Sequence, residues 1–268
     1  VRGLSSYDMK RIVIGFSKTA PANSVCSASE KEIVLEKIKE AIQTHTNVEV
    51  IKLNEENGEV LWVRDLYFML EGHCVICNCT QSDSIMKDRS RERNTILPLI
   101  EGMGYPIIKP PDSVHLEGGD IIQNGNDVFV GINQRTNLGA VQFLKWRQGL
   151  EKINFIPVRH SDMHLDCVMT VVKNTIFYSK RRVNEQDFLW DLRAVVSRGY
   201  DLIDIDDETD GILSTNILII GDHIFHSDRI QNTKIIRHLA DMGLNIHTIP
   251  YGRLWEEGGG VRCLTQEL

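Results

Sequence analysis

Gly125-Asn126-Asp127-Val128-Phe129-Val130 joins a two-residue turn signal to a run of β-branched and aromatic residues, and its recurrence along the chain decides the fold. The pattern returns as Lys173-Asn174-Thr175-Ile176-Phe177-Tyr178 and as Gly221-Asp222-His223-Ile224-Phe225-His226. Val128, Ile176 and Ile224 are spaced by 48 and 48 residues, which marks an internal repeat. Arg11-Ile12-Val13-Ile14 and Cys74-Val75-Ile76-Cys77, the latter behind Glu71-Gly72, are two further copies of the run. Helical periodicity follows each copy, as at Ile33, Val34, Ile38, Ala41 and Ile42 or at Ile235, Ile236, Leu239 and Met242. A second short strand then closes each unit, at 48–51, 106–108, 155–158, 202–204 and 245–249. Five strand–helix–strand units cannot each bury an apolar face alone, so they are expected to pack about a common axis as one α/β domain over 1–268.

Composition narrows the function classes. With 42% hydrophobic and 25% charged residues the chain can bury a core, which excludes a disordered or collagen-like protein. Thirty basic against 37 acidic residues give a formal charge of −7, unsuited to a nucleic-acid partner. No apolar run approaches the roughly 18 residues of a membrane span, and Val1 to Lys10 contain no hydrophobic signal region. The expectation is a soluble cytoplasmic protein with no membrane partner and with its six cysteines reduced. His73, Cys74, Cys77 and Cys79 cluster, but Thr80 to Asp88 supply no second ligand pair for zinc. That segment reads as a buried strand using Cys as a small hydrophobe.

Chemistry-bearing residues fall at a recurrent place after the second strand of each unit. They are Trp62-Val63-Arg64-Asp65, His115-Leu116-Glu117-Gly118-Gly119-Asp120, His164-Leu165-Asp166, Ser214-Thr215-Asn216 and Gly258-Gly259-Gly260-Val261-Arg262-Cys263. Equivalent positions of a pseudo-fivefold repeat converge on the axis, so one cavity is expected to collect Asp65, Glu117, His164, Asp166, Asn216 and Cys263. Cys, His and carboxylates together make a nucleophile, an acid/base and groups that hold a cation. A guanidinium suits them, because carboxylates match its N–H forks and its carbon is open to a thiolate.

In order and type these motifs resemble those of the guanidine-modifying superfamily, which includes arginine deiminases, dimethylarginine dimethylaminohydrolases, agmatine deiminases and amidinotransferases. Trp-Val-Arg-Asp, Leu-Glu-Gly-Gly-Asp, Met-His-Leu-Asp and Gly-Gly-Gly-Val-Arg-Cys-Leu-Thr carry the likeness. The resemblance implies a five-bladed, pseudo-fivefold α/β propeller of ββαβ units, the pentein fold, as a single domain. It implies Cys263 as nucleophile, His164 as general acid and base, Glu117 orienting His164, and Asp65 and Asp166 holding the guanidinium. A covalent thiouronium intermediate follows, with no metal or organic cofactor. Arg135, in Gly131-Ile132-Asn133-Gln134-Arg135-Thr136-Asn137, is the expected clamp for a substrate carboxylate. Arg91, with Arg93 as alternative, is the second, and Asn216 shapes the substrate site.

Length and the Arg-Thr-Asn stretch favour the dimethylarginine hydrolase branch, whereas Asp166 favours a guanidinium with free N–H groups. The expectation is therefore a compact amidine hydrolase acting on a small guanidino substrate, arginine before dimethylarginine. An amidinotransferase is the alternative, a non-catalytic binding propeller comes last, and a homo-oligomer is left open. Glu256 and Glu257 could instead meet a cationic substrate tail, which would favour an amine such as agmatine.

Overall fold

The computed structural model describes residues 11–18, 24–54, 60–79, 89–205, 213–230 and 233–268, apart from the side chains of Ser90 and Arg91. In chain order come β1 (Arg11–Ile14), α1 (Ala28–His45) and β2 (Glu49–Lys52), then β3 (Tyr67–Leu70), β4 (His73–Ile76), α2 (Ser90–Gly102) and β5 (Ile107–Ile108). Next are β6 (Ile121–Asn124), β7 (Asp127–Ile132), α3 (Leu138–Lys145) and β8 (Asn154–Arg159). They are followed by β9 (Met169–Val172), β10 (Thr175–Tyr178), α4 (Glu185–Val196) and β11 (Asp201–Asp204). Last are β12 (Leu218–Ile220), β13 (His223–Ser227), α5 (Lys234–Asp241), β14 (Asn245–Ile249) and β15 (Thr265–Glu267).

Two compact units divide these elements. The unit over 65–204 holds the sheets β3-β4-β5, β6-β7-β8 and β9-β10-β11. The other, built from the chain before and after it, holds β15-β1-β2 and β12-β13-β14. Each repeat run forms the middle strand of a sheet, parallel to the strand that follows its helix and antiparallel to a leading strand. Four leading strands reach the middle strand through a two-residue turn, at Glu71-Gly72, Gly125-Asn126, Lys173-Asn174 and Gly221-Asp222. Gly125 and Gly221 take φ of 61° and 57° there, the left-handed conformation that a tight hairpin requires. In the remaining sheet the leading strand is β15, from the far end of the chain.

Middle strands are buried because the sheets are covered by helices, so Ile12, Val128, Ile176 and Ile224 are each 0% exposed. α1 starts on a capping box, Ser27 accepting from the Glu30 N–H while Glu30 accepts from the Ser27 N–H. Its buried face is Val34, Leu35, Ile38 and Ile42. Ile33, expected on that face, is 54% exposed, because the 3.6-residue period turns it away once Val34 and Ile38 are inside.

The second unit contains a histidine group with a pH consequence. His226 is fully buried on β13, with Nδ1 2.8 Å from the Ser227 carbonyl oxygen and Nε2 3.1 Å from Thr248 Oγ1. His247 on β14 stacks on His45 and has Nε2 2.8 Å from His223 Nδ1. Burial lowers the pKa of both, and for His247 the neighbouring His45, His223 and His226 lower it further. A folded-state pKa below the usual ~6.5 favours the neutral ring, so the stabilisation is complete above that pH and lost as pH falls through the lowered value. The urea midpoint is expected to drop between pH 7 and pH 5 by more in the wild type than in His226→Asn. Equal drops in the two proteins would contradict this.

Candidate active site

Short turns leading into the antiparallel strands carry the predicted site residues. Val63–Asp65 precedes β3, Gly118–Asp120 precedes β6 and Leu165–Cys167 precedes β9. Turns at 213–215 and 261–264 precede β12 and β15. Glu117 and His164 each stand immediately before such a turn in extended conformation (φ −125° and −139°), so their side chains leave at corresponding points of neighbouring sheets. Asp65, Glu117, His164 and Asp166 lie in the 65–204 unit, as do Arg89 and Arg135, whereas Asn216 and Cys263 lie in the other.

In the first of these units His164 is sandwiched between carboxylates. Its Nε2 donates to Glu117 Oε2 at 2.7 Å, and its Nδ1 stands 3.6 Å from Asp65 Oδ1. Two guanidinium groups close the array: Arg89 Nη1 lies 2.6 Å from Asp65 Oδ2, and Arg135 Nη1 3.0 Å from Glu117 Oε2. Arg89 also pairs with Glu92 at 2.6 Å, and the Glu117 N–H donates to Thr136 Oγ1 at 3.1 Å. Asp65 Oδ1 is buried and has no hydrogen-bond partner among the described residues. Gly119 allows this packing, because a Cβ there would sit 2.6 Å from His164 Cγ and 2.9 Å from Asp65 Oδ1. Asp166 is buried beside the Cys167 thiol, which approaches Oδ1 at 3.5 Å.

Electrostatics assign the proton. Burial opposes a charge on His164, but Asp65, the Glu117 hydrogen bond and Asp120 outweigh it and raise its pKa well above the usual value. Burial likewise opposes ionisation of Glu117, yet the His164 hydrogen bond and the charges of His164, Arg135 and Arg89 hold it down to about 2. Both shifts favour an imidazolium against the Glu117 carboxylate. Donor atoms of Asp65, Glu117 and His164 lie within 4.8 Å of one another, close enough for a divalent cation. An imidazolium has hydrogens on both nitrogens and no lone pair for a metal, so the cluster is poised to hold a proton.

In the other unit Asn216 and Cys263 bond reciprocally. Asn216 Nδ2 donates to Cys263 Sγ at 3.1 Å, and the Cys263 N–H donates to Asn216 Oδ1 at 3.3 Å. Cys263 is 6% exposed. Gly260 makes room for the amide, since a Cβ would come within 2.5 Å of Asn216 Oδ1. Asn216, expected to shape a substrate site, therefore holds the thiol directly.

Other expected residues are placed as follows. Arg91 is helical in α2, and its side chain lies outside the described residues, as do residues 1–10 and 80–88. Arg93 donates to Asn78 Oδ1 at 3.2 Å. Glu256 pairs with Arg253 at 3.0 Å, and Glu257 accepts from the Cys26 N–H at 2.9 Å, so neither carboxylate waits for a substrate tail. Cys74 and Cys77 are fully buried as expected, and burial pushes the Cys74 thiol up to about 12. Two residues were not singled out from the sequence. Arg89 stands two residues before Arg91, and its Arg-x-x-Glu spacing to Glu92 was the available signal. Asp120, last of the Glu-Gly-Gly-Asp motif, accepts the Leu165 N–H at 2.9 Å directly after His164.

Residues 95–211 match the family model for arginine deiminase. The uncharacterized protein YkgA of Bacillus subtilis (strain 168) is 28% identical over 236 residues, which is 87% of this chain and 78% of the relative. An arginine deiminase of Borrelia duttonii (strain Ly) is 24% identical over 273 residues, covering 85% of this chain but 65% of its own length. Dimethylarginine dimethylaminohydrolase from Pseudomonas aeruginosa superposes with a TM-score of 0.73 at 17% identity, covering 97% of this chain and 99% of that one. An arginine dihydrolase from the ornithine–ammonia cycle in cyanobacteria gives 0.77 at 17% identity, with 96% of this chain and 40% of that one covered. These likenesses show the fold, the α/β pentein propeller that the motif resemblance implied. The chain resembles the guanidine-modifying enzymes, and its fold is that of amidine and guanidine hydrolases.

Proposed function

We propose that this protein is an amidine hydrolase that converts the guanidinium group of arginine, or of a close relative, into a ureido group through a covalent intermediate on Cys263. One observation carries the reading: His164 Nε2 stands 2.7 Å from Glu117 Oε2, an arrangement that raises the His164 pKa and lowers that of Glu117, beside a carboxylate oxygen of Asp65 with no hydrogen-bond partner among the described residues. That is a general acid next to a place for a cation. A guanidinium would give N–H bonds to Asp65 Oδ1 and to Asp166. Arg135 and Arg91 are the proposed holders of the substrate carboxylate.

In the first stage the Cys263 thiolate, hydrogen-bonded by Asn216 Nδ2, adds to the guanidinium carbon. One C–N bond breaks, His164 gives its proton to the departing nitrogen, and ammonia leaves from arginine. A thiouronium remains on Cys263. In the second stage neutral His164 takes a proton from water, the oxygen adds to the same carbon, and the C–S bond breaks. The remaining hydroxyl proton passes to solvent as the ureido product leaves, and thiolate and imidazolium are restored. Glu117 stays ionised throughout and stabilises the imidazolium. The reading takes 1–268 as a single catalytic domain.

Relatives support this chemistry. The Pseudomonas aeruginosa enzyme has been seen with citrulline, and the N-terminal domain of the cyanobacterial dihydrolase covalently bound to a reaction intermediate. The test is a panel of arginine, monomethylarginine, dimethylarginine, agmatine and guanidinobutyrate, with ureido product and released ammonia or amine measured. Arginine is expected to turn over fastest and dimethylarginine at least tenfold more slowly, because methyl groups leave Asp166 short of hydrogen bonds, a loss of about 1–3 kcal/mol. Product appearing only when an acceptor amine is added would overturn the hydrolase reading in favour of a transferase.

A further inference from the structure

Asn133, the third residue of Gly131-Ile132-Asn133, lies between the segment that enters His164 and the two residues that reach Glu117. Its Nδ2 donates to the Met163 carbonyl oxygen at 3.1 Å, and the Asp162 carbonyl lies at 3.3 Å. The peptide unit entering His164 is therefore gripped by Asn133, and the one leaving it by Asp120, which accepts the Leu165 N–H at 2.9 Å. On its other side Asn133 Oδ1 accepts the N–H groups of Arg135 and Thr136, at 2.7 and 2.9 Å. Those two residues are the ones that reach Glu117, Arg135 through its guanidinium and Thr136 through its hydroxyl.

The support behind Asp120 is equally built. His160, with no exposed side-chain surface, has Nε2 3.0 Å from Asp120 Oδ1, and Asn133 Nδ2 lies 3.2 Å from the same ring nitrogen. Gly131 leaves room for this contact, because a Cβ would fall 2.5 Å from Asp120 Oδ1 and 2.7 Å from His160 Nε2. Asp120 and Thr136 are buried and Asn133 is partly buried, and none of them is bonded to the His164 ring among the described residues.

We propose that Asn133 and Asp120 are positioning residues that lock the backbone on both sides of His164 and, through Arg135 and Thr136, fix Glu117 in register with it. Misplacement of a reacting group by about 1 Å costs on the order of 10²-fold in rate, so this frame is expected to act on kcat. The kinetic part rests on the hydrolase reading above, and the structural part does not.

The test uses Asn133→Asp, which keeps the acceptor for Arg135 and Thr136 but loses the donor to Met163, together with Asp120→Asn and Asp120→Ala. The first readout is the far-downfield imidazole N–H resonance of the His164–Glu117 hydrogen bond. It is expected to be lost in Asn133→Asp and Asp120→Ala, and kept in Asp120→Asn, which still offers Leu165 an oxygen. The second is arginine turnover, expected to fall about 10²-fold in kcat with KM within threefold for the two variants that lose the resonance. An unaltered resonance in both Asn133→Asp and Asp120→Ala, each with a wild-type circular dichroism spectrum, would overturn the proposal. Should the wild type turn over no guanidino compound, the hydrolase reading fails, and the resonance alone decides the positioning role.

Discussion

Replacing Cys263 by serine is expected to lower ammonia release from arginine by about 10⁴-fold or more, with folding unchanged. A serine hydroxyl can accept from Asn216 Nδ2 as the sulfur does, and the backbone N–H of residue 263 still donates to Asn216 Oδ1, so the site keeps its shape. What is lost is the nucleophile. Sulfur is intrinsically a far better nucleophile than an alkyl hydroxyl, which attacks only with a base beside it. Ammonia release and circular dichroism on the same preparation would check this. Turnover within tenfold of the wild type would mean that water attacks the guanidinium directly, and the covalent scheme would fall.

His164→Gln is expected to cost about 10³–10⁴-fold in kcat, because one residue supplies the acid of the first stage and the base of the second. Glutamine can still donate to Glu117, so KM should move little. The substitution also removes the positive charge between Asp65 and Glu117, leaving two buried carboxylates against Arg89 and Arg135 only. Glu117 then loses the His164 charge that helps to lower its pKa, which is expected to rise from about 2 toward the ordinary carboxylate value. A titration of Glu117 by carboxyl NMR, run beside the kinetics, reads both effects. A variant that keeps a tenth of wild-type kcat would remove His164 from the chemistry.

The five middle strands and their parallel partners were legible because each pairs a turn signal with β-branched residues, and a fixed period repeats the pairing. The leading strands were not. Tyr67–Leu70 and Met169–Val172 follow directly on polar motifs without a turn between, and both are buried almost throughout, so no alternation marks them. Thr265–Glu267 carries no apolar signal at all and is a strand because Ile12, Val13 and Ile14 of β1 offer it an edge. In the site, Glu117 and His164 were readable from their motifs, and the structure joins them at 2.7 Å. Arg89 was hidden among neighbouring arginines, and what separates it is tertiary: Asp65 arrives from a different turn of the same unit. Asn133 likewise carries no chemical signal by itself. Its meaning comes from the two carbonyls and two N–H groups that the loops bring to one amide.

The central claim is a covalent amidine hydrolysis on Cys263, and the mass of rapidly acid-quenched enzyme after mixing with arginine tests it most directly. The account predicts a transient adduct on the peptide containing Cys263, equal to one arginine less one ammonia, that decays as citrulline appears. An adduct carrying only the amidino carbon and its two nitrogens, with ornithine released, would contradict the account and make the protein a transferase.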